Sequence, residues 1–115
     1  MSTNDTLTIP QSELVQGWRT KLPECLDTGF SAKVEPDEAN PHALNIEIRT
    51  NDHEMLELTF RVQYMDSREI EIELLDVQQE DRSVDERNDS IQQSIANCRR
   101  QMHECAQILQ AITHA

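Results

Sequence analysis

The sequence predicts an α+β domain: an N-terminal helix, a four-stranded antiparallel meander and a long C-terminal helix packed on the apolar sheet face. Three observations carry that prediction. Between Phe30 and Leu74, apolar and polar residues alternate in four successive segments, the pattern of strands with one dry and one wet face. From Val84 to Ile112 the apolar residues recur at steps of seven, four and three, which gathers them on one side of a helix. The length of 115 residues fits a single domain.

Residues 1–9 are polar at their start and are expected to be a flexible N-terminus, with residues 10–115 forming the domain. The first helix is expected from Pro10 to Leu22. Pro10 suits the first turn, where its missing N–H costs nothing. Leu14, Val15, Trp18 and Leu22 form one apolar stripe. Pro23 is expected to end the helix, because it disfavours the α conformation at the residue before it. Cys25 and Leu26 extend the stripe in a short turn. Gly29 permits a left-handed conformation where the chain changes direction.

Phe30, Ala32 and Val34 mark the first strand, and Glu35 to His42, with Pro36 and Pro41, a loop. Leu44, Ile46 and Ile48 mark the second strand, followed by a turn at Asn51-Asp52. Leu56, Leu58, Phe60, Val62 and Tyr64 mark the third; Ile70, Ile72 and Leu74 mark the fourth. The three-residue loop Asp66-Ser67-Arg68 pairs Tyr64 with Ile70, Val62 with Ile72 and Phe60 with Leu74, and on the wet face Arg61 with Glu73. The preceding hairpin admits two registers. One sets Glu47 opposite Glu57; the other sets Arg49 opposite Glu57 and Glu47 opposite Thr59. Like charges directly opposite are unfavourable, so the second is expected. Residues 76–83 read as a polar connector.

Ser83-Val84-Asp85-Glu86 reads as a capping box, with its acids complementing the helix dipole. No glycine or proline follows, so one helix is expected to run to Ile112, with Asn88 as the polar gap in its stripe. Its roughly 29 residues span about 43 Å, against about 30 Å for a nine-residue strand. The helix end must then fold back, pack on the first helix, or bury against another chain. Met102, Cys105, Ile108, Leu109 and Ile112 are the candidate self-association residues for a homodimer. The competing reading is packing on the chain's own sheet. Gln92, Ser94, Arg99, Gln101 and Ala106, at the flanking heptad positions, lack a complementary charge code, and Ile108 widens the stripe.

Acidic residues outnumber basic ones 22 to 10, for a net charge of −12. Such a surface repels nucleic-acid phosphates and anionic membranes, so direct binding to either is not expected. A protein partner with a basic surface suits the charge. Residues 66–86 hold nine acids against two arginines. The candidate partner-binding residues are Glu57, Glu69, Glu71, Glu73, Asp76, Glu80 and Asp81. The belt could instead only solubilise the surface and guard an edge strand. A third reading is phosphate mimicry. Glu69, Glu71 and Glu73 recur at about 6.6–6.8 Å along a strand, matching every second phosphate at about 3.4 Å per step.

Three cysteines cannot all pair, and no apolar signal segment opens the chain, so reduced thiols and a cytoplasmic location are expected. Cys98 and Cys105 share a helix face about 10.5 Å apart, too far for a disulfide. A metal centre would have to recruit Cys25 or His103, and His103 points away from Cys105. Structural thiols are the better reading. The four histidines, His42, His53, His103 and His114, are scattered. Two glycines do not make a phosphate-cradling loop. Solvent-facing carboxylates have nothing to raise their pKa. No cofactor and no enzymatic activity are therefore expected. Arg99-Arg100 reads as a solvated pair. The expected function is a non-catalytic protein-binding module: a small acidic regulator, adaptor or chaperone. The alternatives are a DNA-mimic inhibitor of a DNA-binding protein and a small enzyme.

Overall fold

In the computed structural model the structure describes residues 7–50, 55–79, 82–83 and 89–114. Helix α1 spans Gln11–Cys25. The Pro10 carbonyl accepts the N–H groups of Glu13 and Leu14, which starts the helix. Its stripe of Leu14, Val15, Trp18 and Leu22 is buried. The helix does not stop at Leu22 as Pro23 predicts. Pro23 lies inside the last turn, and the Leu26 N–H closes on the Leu22 carbonyl at 3.1 Å. Burying Leu22 and Leu26 offsets the hydrogen bond that proline cannot donate. Ahead of α1, Leu7 is buried and Ile9 packs on the core. Gly29 has φ 88°, the left-handed geometry its position calls for.

The strands are β1 (Ser31–Pro36), β2 (Ala43–Arg49), β3 (Leu56–Tyr64), β4 (Ile70–Gln79) and β5 (Arg82–Ser83), in the order β1-β2-β3-β4-β5. Every pairing is antiparallel. Both derived registers are present: Tyr64 opposite Ile70, Val62 opposite Ile72, Arg61 opposite Glu73, and Arg49 opposite Glu57. The first strand starts one residue later than expected and runs on to Pro36, so the loop is 37–42.

Within the expected connector of residues 76–83, residues 76–79 and 82–83 are strand. Thr59 pairs with Asp76 while Phe60 pairs with Leu74, so Leu75 is an extra residue in a bulge. The bulge re-phases the alternation. Leu75 is exposed and Val77 takes the core-facing position, which lets β4 continue to Gln79 and β5 fold back on Gln78 and Gln79.

The buried side chains of β2 and β3 form one face, with α1 across β1 and α2 against α1 and β4. At the centre the Trp18 Nε1–H donates to the Tyr64 hydroxyl at 3.1 Å, both residues being buried. Burial pushes the Tyr64 phenol up to about 12, although the Trp18 bond acts in the opposite direction. Burial, together with the neighbouring Cys25, pushes the Cys105 thiol up to about 12. The unfolded chain ionises these groups nearer their ordinary values of 10.0 and 9.0. Their stabilisation is therefore complete below pH 9 and is lost as pH rises through the window from 9 to 12. Denaturant titrations across that window should show stability falling, and Tyr64→Phe should flatten the fall above pH 10.

Helix α2 spans Asp89–Ile108 and α3 spans Gln110–Thr113. The single helix to Ile112 is thus broken at Leu109, whose carbonyl accepts the N–H groups of both Ile112 and Thr113. The 20 residues of α2 span about 30 Å, and the 10 residues of β4 span about 33 Å. The described helix is therefore no longer than the longest described strand, and shorter than the expected helix of roughly 29 residues. Its end packs on α1: a Cβ placed on Gly17 would lie 3.2 Å from both Leu109 Cδ2 and Ile112 Cδ1. Ser67 Oγ and His114 Nδ1 share a 2.6 Å hydrogen bond that ties the chain end to the β3–β4 turn. The turn at Asn51-Asp52, Val84 to Glu86 of the capping box, Asn88, Glu80, Asp81 and residues 1–6 lie outside the described residues.

Candidate functional site

The wet face of the sheet carries both signs of charge. Arg49 pairs with Glu57 at 2.8 Å and approaches Glu47 at 3.8 Å. Arg61 pairs with Glu73 at 3.0 Å, and Arg19 with Glu35 at 2.9 Å. Exposed pairs of this kind add little stability, but they cancel charge locally. Two candidate residues, Glu57 and Glu73, are thereby neutralised within the sheet. Glu69 and Glu71 are exposed, and among the described residues no cation lies within ion-pair reach of either. Asp76 is half-buried and accepts a 2.9 Å hydrogen bond from Gln78 Nε2. Among the described residues, Glu69 just before β4 and Glu71 and Asp76 on it thus have no paired cation.

Asp66 closes the turn that leads into this strand. Its Oδ1 accepts the N–H groups of Arg68 at 2.8 Å and Glu69 at 2.7 Å, and those two bonds hold its carboxyl below the ordinary carboxylate range. The stabilisation is present above the ordinary value of 3.8 and is lost as pH falls through the lower folded value. Asp66→Ala should lower the melting temperature by a few degrees at pH 7, while Asp66→Asn, which keeps an acceptor, should lower it less.

Among the described residues, β5 covers the outer backbone edge of β4 only at Gln78 and Gln79. The Met65 N–H donates to the Glu69 carbonyl at 2.9 Å, so Met65 and Glu69 form a hydrogen-bonded pair. Alternation then makes Gln63–Glu71 and Arg61–Glu73 bonded pairs. Ile70, Ile72 and Leu74 accordingly turn their N–H and C=O groups away from β3. One of those carbonyls is taken: Arg99 Nη1 donates to Ile72 O at 2.7 Å. Arg99 is therefore not a solvated residue as its sequence context predicts; its reach from α2 covers a sheet edge. The opposite edge is guarded in the same way, by Arg19 Nε on Val34 O at 2.9 Å, and Pro36 ends it without an N–H. The side chains of Ile70, Ile72 and Leu74 are only partly buried against the core. Beside them a cleft of about 320 Å³ opens between the start of β4 and α2, lined by Arg68, Glu69, Ile70, His103, Ala106, Gln107 and Gln110.

The self-association residues divide. Met102, Cys105 and Leu109 are buried in the chain's own core, because the helix end bends onto α1. Ile108 and Ile112 remain 51% and 42% exposed.

Two contacts escape sequence reasoning. Cys25 and Cys105 lie beside each other, and burial, aided by the nearby Glu104 charge, raises the Cys25 pKa. Ser67 with His114 is the other. It resembles a nucleophile and base in residue type, but Ser67 is 1% exposed, so the pair acts as an anchor. No local spacing announces either contact, since both join residues distant in sequence. His103 lines the cleft while Cys105 faces the core. Among the described residues no three His, Cys, Asp or Glu side chains converge on a metal position, and no helix is long and apolar enough to cross a membrane. Comparison with protein-family models, curated proteins and solved structures found no match for this chain.

Proposed function

We propose that the protein is a non-catalytic binding module, a small cytoplasmic regulator, adaptor or chaperone that holds a basic protein surface against the β4 side of its sheet. One observation carries this reading. Glu69 at the entry to β4, and Glu71 and Asp76 on it, have no paired cation among the described residues, whereas Arg49 and Arg61 neutralise the middle of the same face. A basic partner gains most where carboxylates are not already paired. The test is affinity capture from the native cell by the wild type, by a Glu69→Gln/Glu71→Gln/Asp76→Asn variant, and by a Glu47→Gln/Glu57→Gln control. The reading expects basic proteins to be lost from the first variant and retained by the control. The same set captured by all three would contradict it. Displacement of the captured proteins by duplex DNA would instead favour the DNA-mimic alternative.

Self-association is a separate and narrower part of the reading, since it rests on Ile108 and Ile112. A mass of one chain at high concentration would remove it.

A further inference from the structure

We propose that the open edge of β4 receives an extended segment of the partner by strand addition, and that this segment alternates apolar with lysine or arginine residues. The inference rests on the reading above and gives it a mode of binding. Main-chain pairing supplies the attachment in such additions, and alternate side chains supply the selectivity.

The geometry points to this edge for three reasons. First, Ile70, Ile72 and Leu74 direct their N–H and C=O groups outward, in the spacing that an added antiparallel or parallel strand requires. Among the described residues β5 covers only Gln78 and Gln79. Long edges are commonly shortened or masked, yet β4, with 10 residues, is the longest strand described. Second, the same three side chains are partly buried. A strand laid beside them would continue the apolar face, and its inward side chain next to Ile70 would enter the cleft beneath, against Ala106. Third, charge selects the occupant. Pairing two copies antiparallel about Ile72 would set Glu71 opposite Glu73 of the second copy, a like-charge contact that disfavours self-addition. Lysines opposite Glu69 and Glu71 in an added strand would instead meet carboxylates that have no paired cation among the described residues. Arg99, bonded to Ile72 O, would have to release one carbonyl as the segment docks.

The test uses the full chain and a synthetic heptapeptide of alternating lysine and valine, with a glutamate–valine heptapeptide as control. Amide exchange is followed by NMR at Ile70, Ile72 and Leu74. Saturating lysine–valine peptide is expected to slow those three amides by at least about tenfold, and the glutamate–valine peptide to leave them unchanged. Glu69→Gln/Glu71→Gln should weaken binding about tenfold. Arg99→Ala, which frees the Ile72 carbonyl, should tighten it severalfold. If the basic peptide binds and shifts the signals of Glu69 and Glu71 without slowing the three amides, strand addition is overturned while the basic-surface reading stands. If both peptides slow the amides equally, the charge selection is overturned. If the basic peptide does not bind at all, the inference and the reading beneath it both fall.

Discussion

Trp18→Ala is expected to cost the protein about 3–5 kcal/mol, enough to consume much of the roughly 5–15 kcal/mol that holds a domain of this size together. Trp18 is the only tryptophan in a chain with four aromatic residues, and it is completely buried. Its neighbours in the core are mostly aliphatic. Truncation leaves a large cavity and also deprives the Tyr64 hydroxyl of its donor at 3.1 Å. Trp18→Phe separates the two effects: it keeps most of the volume and should cost about 1–3 kcal/mol, for the lost hydrogen bond and the smaller ring. Urea denaturation followed by far-ultraviolet circular dichroism measures both variants without relying on the deleted indole. A cost below about 1 kcal/mol for Trp18→Ala would mean that the core can close over the site.

Gly17→Leu is expected to cost about 1–3 kcal/mol, because the position has no room for a branched side chain. A single Cβ already comes within 3.2 Å of Leu109 Cδ2 and Ile112 Cδ1. A leucine there should lift α3 from α1 and strain the Ser67–His114 hydrogen bond. The signature is local: amides of residues 110–113 should exchange faster while those of β3 keep their protection. Gly17→Ala should lie near neutral, since the gain of about 1 kcal/mol in helix propensity opposes a contact that flexible methyl groups can relieve. Unchanged exchange in α3 with leucine at position 17 would show that the helix end is not seated on Gly17.

How much of this was legible before the structure depends on whether a feature is local. Both hairpin registers follow from short-range constraints, a three-residue loop in one case and the avoidance of Glu47 opposite Glu57 in the other. The ion pairs of Arg49 and Arg61 come with those registers. The neutralised part of the acidic face could therefore be read from pairing alone. The bulge could not: Leu75 looks like one more apolar residue, and it hides the phase change that brings Val77 inward and extends β4. Pro23 misled because helix termination by proline is a local preference, overridden when Leu22 and Leu26 are both drawn into the core. The heptad series correctly placed Met102, Cys105 and Leu109 on one face. It could not say that α1 would cover them, since that depends on Gly17, about ninety positions away. Arg99 on Ile72 O and Cys25 beside Cys105 are likewise products of tertiary packing.

The central claim is that the effective negative charge sits on the β4 side of the sheet and not across its middle. Titrating the isotopically labelled protein with short polylysine at low salt, and mapping amide shifts, tests this most directly. The account predicts that the largest shifts fall on residues 69–79, and that they fade as added salt screens the exposed carboxylates. Shifts centred on Glu47, Glu57 and Arg61, or spread evenly over the wet face, would contradict it.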